Sequence, residues 1–530
     1  MFGLGFGVVA AAGARHLDTF EVSSVSTTST TETTSPSAVV DDQDESADAS
    51  TAVAGVGAPQ TSGALEAPVL DSSKRLEAGQ TADVVFTGAR IIDPETGFDR
   101  IGNLALIGST IVEISDQPIP ATREIPATDL VVSPGFIDML SYSPNEYGEW
   151  WKVADGVTTN VGMHGLRFDA QDFYEDWTET GVPINFGGAV HNSYVRSQPD
   201  LELDPTSTAS ATQIAKIAQA VEAQVREGYL GIHVQPEYAP GVGDIELMAM
   251  GTLAAKLEVP LCVHARYSDN FEPGLQSEAT AELVKVARET GCHVHVEHLN
   301  STGGTGRMAA ALDEISAAIA EGLQMTTCMY PYEFWATYLK ANRYNNWQEK
   351  YGLTFDDLQV AGTNERLTAE TYAAALDANA LTAAFAIPSS DNDLAVQAPF
   401  MMIGSDAILE RPHNNHPRST GSFSRTIAEY ARNKGLVSLS DALAMMTIRP
   451  ARLLGISSPQ MNRKGRLQIG ADADITVFDP LTIADRSTIE NPAIESVGVK
   501  YVYVNGVEVR NLNGNVNTAT PGIAIRSDRA

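Results

Sequence analysis

Pro260–Asn300 reads PLCVHARYSDNFEPGLQSEATAELVKVARETGCHVHVEHLN, and its pattern decides the fold. Pro260–Val263 and His293–Val296 are short runs of the kind that form buried strands. Between them, Ala281, Leu283, Val284 and Val286 fall at a spacing that loads one face of a helix over Ser277–Thr290. Strand, helix, strand over this distance is a βαβ unit, and each strand closes with a histidine, His264 and His298. In a barrel of such units the C-terminal strand ends form the active face. Two imidazoles there, on parallel strands, can meet at one metal ion. Either histidine alone serves as well as an ordinary polar strand end; the pair in this setting points to a metal site.

Working outward, the same alternation continues on both sides. Strands are expected at Val131–Leu140, Gly156–Gly162, Ile184–Val190, Leu230–Gln235, Pro260–His264, His293–His298, Gln324–Pro331 and Phe400–Asp406. Helical patterns such as Ala209–Glu227 and Ile245–Leu257 lie between them. Eight strands with intervening helices give an α/β fold, a (β/α)8 TIM barrel over 133–455. Residues 333–399 exceed an ordinary connection and are expected to form helices and a lid. The flanks at 79–132 and 456–530 carry short β-type runs with turn signals, Asp93–Gly97 and Val504-Asn505-Gly506 among them. They imply a small β-sandwich domain assembled from both chain ends.

Composition bounds the function. The 530 residues carry a net charge of −32 and 43% hydrophobic side chains. Such acidity argues against nucleic acid, which needs clustered Lys and Arg. The three cysteines, Cys262, Cys292 and Cys328, lack the spacing of a disulfide framework. Gly3–Ala14 fits the apolar core of a signal peptide and is too short to span a bilayer, so residues 1–20 are read as an export signal. Residues 21–78 are acidic and Ser/Thr-rich, a disordered linker. The expected partner is a small-molecule substrate, with no membrane-spanning segment in the mature chain; a homo-oligomer is compatible with this composition.

Several short motifs recur in a fixed order: Ser133-Pro134-Gly135-Phe136-Ile137-Asp138, Gly156-Val157-Thr158-Thr159, Tyr330-Pro331-Tyr332, Gly404-Ser405-Asp406, and His416-Pro417-Arg418 with Gly421 and Phe423. Arg449–Gly455 and Gly465–Pro480 follow. In this order they resemble the amidohydrolase superfamily and, within it, the N-acyl-D-amino-acid deacylase (D-aminoacylase-like) branch, from about Ala82 to Arg526. The resemblance implies metal-assisted hydrolysis of a carbon–nitrogen bond. It also locates a departure. Where the superfamily carries a His-x-His metal pair after Pro-Gly-Phe-Ile-Asp, this chain has Leu140, Ser141 and Tyr142.

What remains implies a mononuclear site. His164 stands at or beside the position where the deacylases carry a metal-binding cysteine. Together with His264 and His298 it makes a three-histidine set suited to catalytic zinc, one ion being favoured and two the alternative. Asp406 matches the family carboxylate that takes a proton from metal-activated water and passes it to the leaving nitrogen. Tyr238 and Arg418 match positions near the family's substrate carboxylate, for which the arginine fork is suited. His191 matches a family histidine and either orients substrate or satisfies a buried loop; Tyr142 points into the same mouth, and Asn300 stands where deacylases often have a lysine. Glu297 alternates with His298 and is expected to face away. His293 and His295 read as packing residues, and His233 has no assigned role. Three functions follow: hydrolysis of a linear N-acyl amino acid, hydrolysis of a cyclic amide or imide as in hydantoinase and dihydroorotase relatives, or ligand binding without catalysis.

Overall fold

The computed structural model describes residues 70–142, 146–269, 275–407 and 415–529. The expected signal segment and the linker up to residue 69 lie outside the described residues. Residues 70–78, assigned by composition to that linker, lie against the terminal sheet: Leu70 and Leu76 pack on its apolar side chains, and the Leu76 N–H donates to Val112 O at 3.1 Å.

All eight barrel strands form in the expected order. They are Phe136–Asp138, Val157–Leu166, Asn185–His191, Ile232–Val234, Leu261–Val263, Val294–Val296, Met325–Met329 and Met401–Ile403, each paired in parallel with the next. A parallel bridge between Ser141 and Ala407 joins the last strand to the first, and the Asp406 N–H donates to Leu140 O at 2.7 Å across that seam. Below it, Lys152 Nζ lies 2.7 Å from Asp138 Oδ2 and 2.7 Å from Ser405 Oγ, with both charges buried.

The strands are apolar on both faces because both are covered. Val294 and Val296 pack outward in one cluster with Leu283 and Val286 of helix Gln276–Thr290. Ile137, Val161, Met163, Cys262, Cys328 and Met402 fill the interior. Cys262 and Cys328 are therefore buried packing residues, as their place in the strands implies.

Val131–Leu140 is not one strand. It divides at Gly135, where a Cβ would lie 2.2 Å from Thr158 Oγ1. Val131–Pro134 pairs antiparallel with Ile475–Phe478, and Phe136–Asp138 enters the barrel. This crossing ties the barrel to a nine-stranded mixed sheet built from both chain ends. Within that sheet Ala82–Asp93 pairs with Phe98–Ile107, Ala121–Pro126 and Val131–Pro134. Asn505 and Gly506, with φ of 48° and 78°, make the two-residue turn between Val504 and Val507.

The insertion holds helices Trp347–Tyr351 and Ala369–Asp377, as expected, but its frame is a three-stranded antiparallel sheet, Trp335–Tyr338, Leu358–Val360 and Leu381–Ala384. Leu-Thr-Ala-Ala at 381–384 has good helix formers. Pairing with Trp335–Tyr338 over an aromatic core of Trp335, Tyr344 and Trp347 overrides them. Among the described residues no helix is long and apolar enough to cross a membrane.

Candidate metal centre

His164, His264 and His298 converge at the C-terminal ends of strands two, five and six. With Glu297 they place one potential ligand atom each within 4.8 Å of one another, all four side chains buried. Three buried imidazoles at strand ends are a donor set of catalytic zinc, so the residues present fit a zinc-type ion. His264 Nδ1 and His298 Nε2 lie 3.1 Å apart.

Glu297 does not face away. Since Val294 and Val296 point outward to the helices, His295 and Glu297 point inward, and strand alternation puts Glu297 in the site. His298 reaches the same site because its backbone turns left-handed, φ 27° and ψ 60°, ending the alternation one residue after Glu297. His293 and His295 both contact Thr326 Oγ1, at 2.9 and 3.0 Å, below the centre. The apolar pair Val294 and Val296 was the signal for this sidedness.

Glu297 lies between two imidazoles, with Oε2 2.6 Å from His164 Nδ1 and Oε1 2.8 Å from His233 Nδ1. Gly165, at φ 83°, lets them pack: a Cβ there would come within 2.6 Å of His233 Cδ2 and 2.9 Å of His191 Cδ2. Burial works to raise the Glu297 carboxyl, yet the two histidines hold it well below the usual range. Burial draws the His164 imidazole down, and Glu297 and Asp406 outweigh it and raise it. His264 and His298 are lowered, chiefly by burial, which favours the neutral ring a metal requires.

A second carboxylate, Glu237, was not singled out in the sequence although its neighbour Tyr238 was. Its Oε2 lies 2.6 Å from His264 Nε2, and Ser268 Oγ donates to its Oε1. Arg343, from the insertion, stands 3.8 Å away, stacks over Trp335 and donates to Ser301 O. Burial acts to raise Glu237, but Arg343, His264 and Ser268 hold it at about 2. No sequence pattern marks Arg343, because only the folded insertion brings it to the barrel mouth.

Asp406 sits at the end of strand eight with φ 47°. Its Oδ2 is 2.9 Å from Arg418 Nη2, while Oδ1 is buried without a hydrogen-bond partner. Arg418 also stacks over Tyr330, so its guanidinium is occupied inside the frame. Tyr142 packs edge-on to His164 at 4.9 Å and is partly exposed; Tyr238 lies 4.9 Å from the His264 ring. His191 is 4.8 Å from the His233 ring, and its Nδ1 accepts the Ser193 N–H. Asn300 is turned into the frame, its amide donating to Tyr330 O at 2.8 Å and Asn392 Oδ1 at 2.9 Å. Leu140 is buried in the interior cluster, which leaves no first-strand ligand at its position.

Comparison with known proteins gives relatives in sequence and in fold. The chain is 28% identical to an N-acyl-D-glutamate deacylase of Alcaligenes xylosoxydans xylosoxydans over 475 residues, covering 81% of this chain and 93% of the relative. It is 28% identical to a D-aminoacylase of the same organism, covering 81% and 95%. The crystal structure of N-acyl-D-glutamate deacylase from Bordetella bronchiseptica, complexed with zinc and a phosphonate mimic of the tetrahedral intermediate, superposes with a TM-score of 0.73 at 26% identity, covering 84% of this chain and all of that one. Residues 178–510 match the model of the amidohydrolase family. The chain belongs to the amidohydrolase family.

Proposed function

We propose that the protein is a metal-dependent deacylase of N-acyl amino acids, working with one zinc ion and using Asp406 as general base and then general acid. The carrying observation is the meeting of His164, His264 and His298 at a site whose seam residue, Asp406, keeps one buried carboxylate oxygen unpaired. When bound, the ion supplies Lewis-acid polarisation of the scissile carbonyl and of water. Arg418 fixes Asp406 through Oδ2, leaving Oδ1 to take a proton from the attacking water and return it to the leaving nitrogen. The D preference is supported by the relatives, which are an N-acyl-D-glutamate deacylase, a D-aminoacylase and an N-acyl-D-aspartate deacylase.

Metal content per chain, measured together with amine release from N-acetyl-D- and N-acetyl-L-amino acids, tests this reading. One ion and D-selective amine release, both lost in His264→Ala and the release lost in Asp406→Ala, are expected. Ring opening of a cyclic amide without amine release would replace it with the hydantoinase-like reaction, for which the Asn300 amide, committed to the frame, is the favouring observation. A chain that binds no metal would be a ligand-binding relative.

A further inference from the structure

Two ligands of a tetrahedral zinc at bond lengths of about 2.0–2.1 Å lie roughly 3.3 Å apart. The His264 Nδ1 to His298 Nε2 separation of 3.1 Å is close to that edge. The Glu297 to His164 separation of 2.6 Å is much shorter, and is instead the length of a charge-assisted hydrogen bond. The Glu237 to His264 contact is also 2.6 Å, and Glu237 lies on the far ring nitrogen from His298.

An ionised carboxylate only accepts hydrogen bonds. The nitrogen facing each carboxylate oxygen must therefore carry the proton. Glu237 places it on His264 Nε2 and leaves the Nδ1 lone pair directed to His298. Glu297 places one on His164 Nδ1 and another on His233 Nδ1, leaving the Nε2 of each as the lone-pair atom. The His233 Nε2 is buried with no partner, consistent with that tautomer.

We propose that Glu297 is a positioning residue and not a metal ligand: it locks His164 in the Nδ1–H tautomer, so that His164 binds the ion through Nε2, and His233 anchors Glu297 from the other side. The chain has replaced the first-strand histidine pair with nothing of the same kind. It keeps a three-imidazole site and stiffens it with two carboxylates behind the rings, Glu237 behind His264 and Glu297 behind His164. An imidazole, unlike a thiolate, can rotate and can protonate the wrong nitrogen, and a shared carboxylate removes both freedoms.

This inference rests on the reading of the cluster as a metal centre, and the experiment separates the two. Zinc affinity is measured by chelator competition, and the visible spectrum of the Co(II)-substituted protein is recorded, for the full chain and for Glu297→Gln. The expected result is one ion per chain in both, unchanged Co(II) band positions, and zinc binding weakened about 10- to 100-fold in the variant. Glu297→Asp, which keeps the charge on a shorter arm, should fall between the two and serves if Glu297→Gln does not fold. Shifted Co(II) bands in either variant would make Glu297 a ligand, and unchanged zinc affinity in either would make it merely structural; each overturns the proposal. A wild-type chain that binds no ion would overturn this inference and the metal-centre reading together.

Discussion

Arg418 holds Asp406 at two points, Nη2 lying 2.9 Å from Oδ2 and Nε donating to the Asp406 carbonyl at 2.7 Å. The side chain expected to bind a substrate carboxylate thus grips the proposed base. Lysine keeps the charge but cannot span both atoms. Arg418→Lys should lower kcat about a hundredfold, the order expected for a misplaced catalytic group, while KM stays within a few-fold. Steady-state kinetics on the best N-acyl substrate decide it. A raised KM at constant kcat would return Arg418 to substrate binding.

The seam beside Asp406 depends on the buried Lys152–Asp138 pair, with Ser405 accepting from Lys152 at 2.7 Å and donating to Asp138 at 2.5 Å. Lys152→Met leaves a buried carboxylate without its cation and should cost roughly 3–5 kcal/mol in urea denaturation. Lys152→Met combined with Asp138→Asn removes both charges while keeping an acceptor for the Ser405 N–H, and should recover most of that loss. A double variant no more stable than the single would show that the pair is not what closes the seam.

The barrel was legible because its eight strands are short apolar runs with helical patterns between several of them, and parallel pairing leaves little choice of order. His164, His264, His298 and Asp406 were legible because they end such runs. Glu297 was not, because the left-handed backbone at His298 breaks the alternation relating the two; the outward-packed Val294 and Val296 carry the correct face. Glu237 and Arg343 lay beyond reach for another reason. One follows a strand end in a loop, and the other arrives from the insertion 106 positions later in the chain.

Acid sensitivity follows from His416. Its Nδ1 accepts the Arg418 N–H at 2.9 Å and its Nε2–H donates to Phe334 O at 3.0 Å, so the ring is neutral. Burial, reinforced by Arg418, holds its pKa well below the usual 6.5. The unfolded chain takes up a proton below pH 6.5 that the folded chain refuses. The stabilisation is therefore complete above that pH and is lost as pH falls, by up to about 1.4 kcal/mol per unit. Denaturation in a chelating buffer between pH 7.5 and 5.5 should show a slope smaller by about one proton in His416→Asn than in wild type. Equal slopes would mean that His416 is protonated in the folded protein.

Gly165, the residue after His164, offers a test of the histidine packing that replaces no metal ligand. An alanine there would meet His233 Cδ2 at 2.6 Å and His191 Cδ2 at 2.9 Å, at a backbone φ of 83° that side chains rarely adopt. The cheapest relief is to push His233 off Glu297, which loosens the carboxylate behind His164. Gly165→Ala should therefore lose roughly 1–3 kcal/mol of stability from overpacking. It should also bind zinc at least about tenfold more weakly, as expected when an outer partner of a ligand is displaced. Chelator competition on the folded variant gives the second number independently of the first. Zinc affinity equal to wild type in a destabilised variant would mean that His233 supports the barrel interior and not the metal centre.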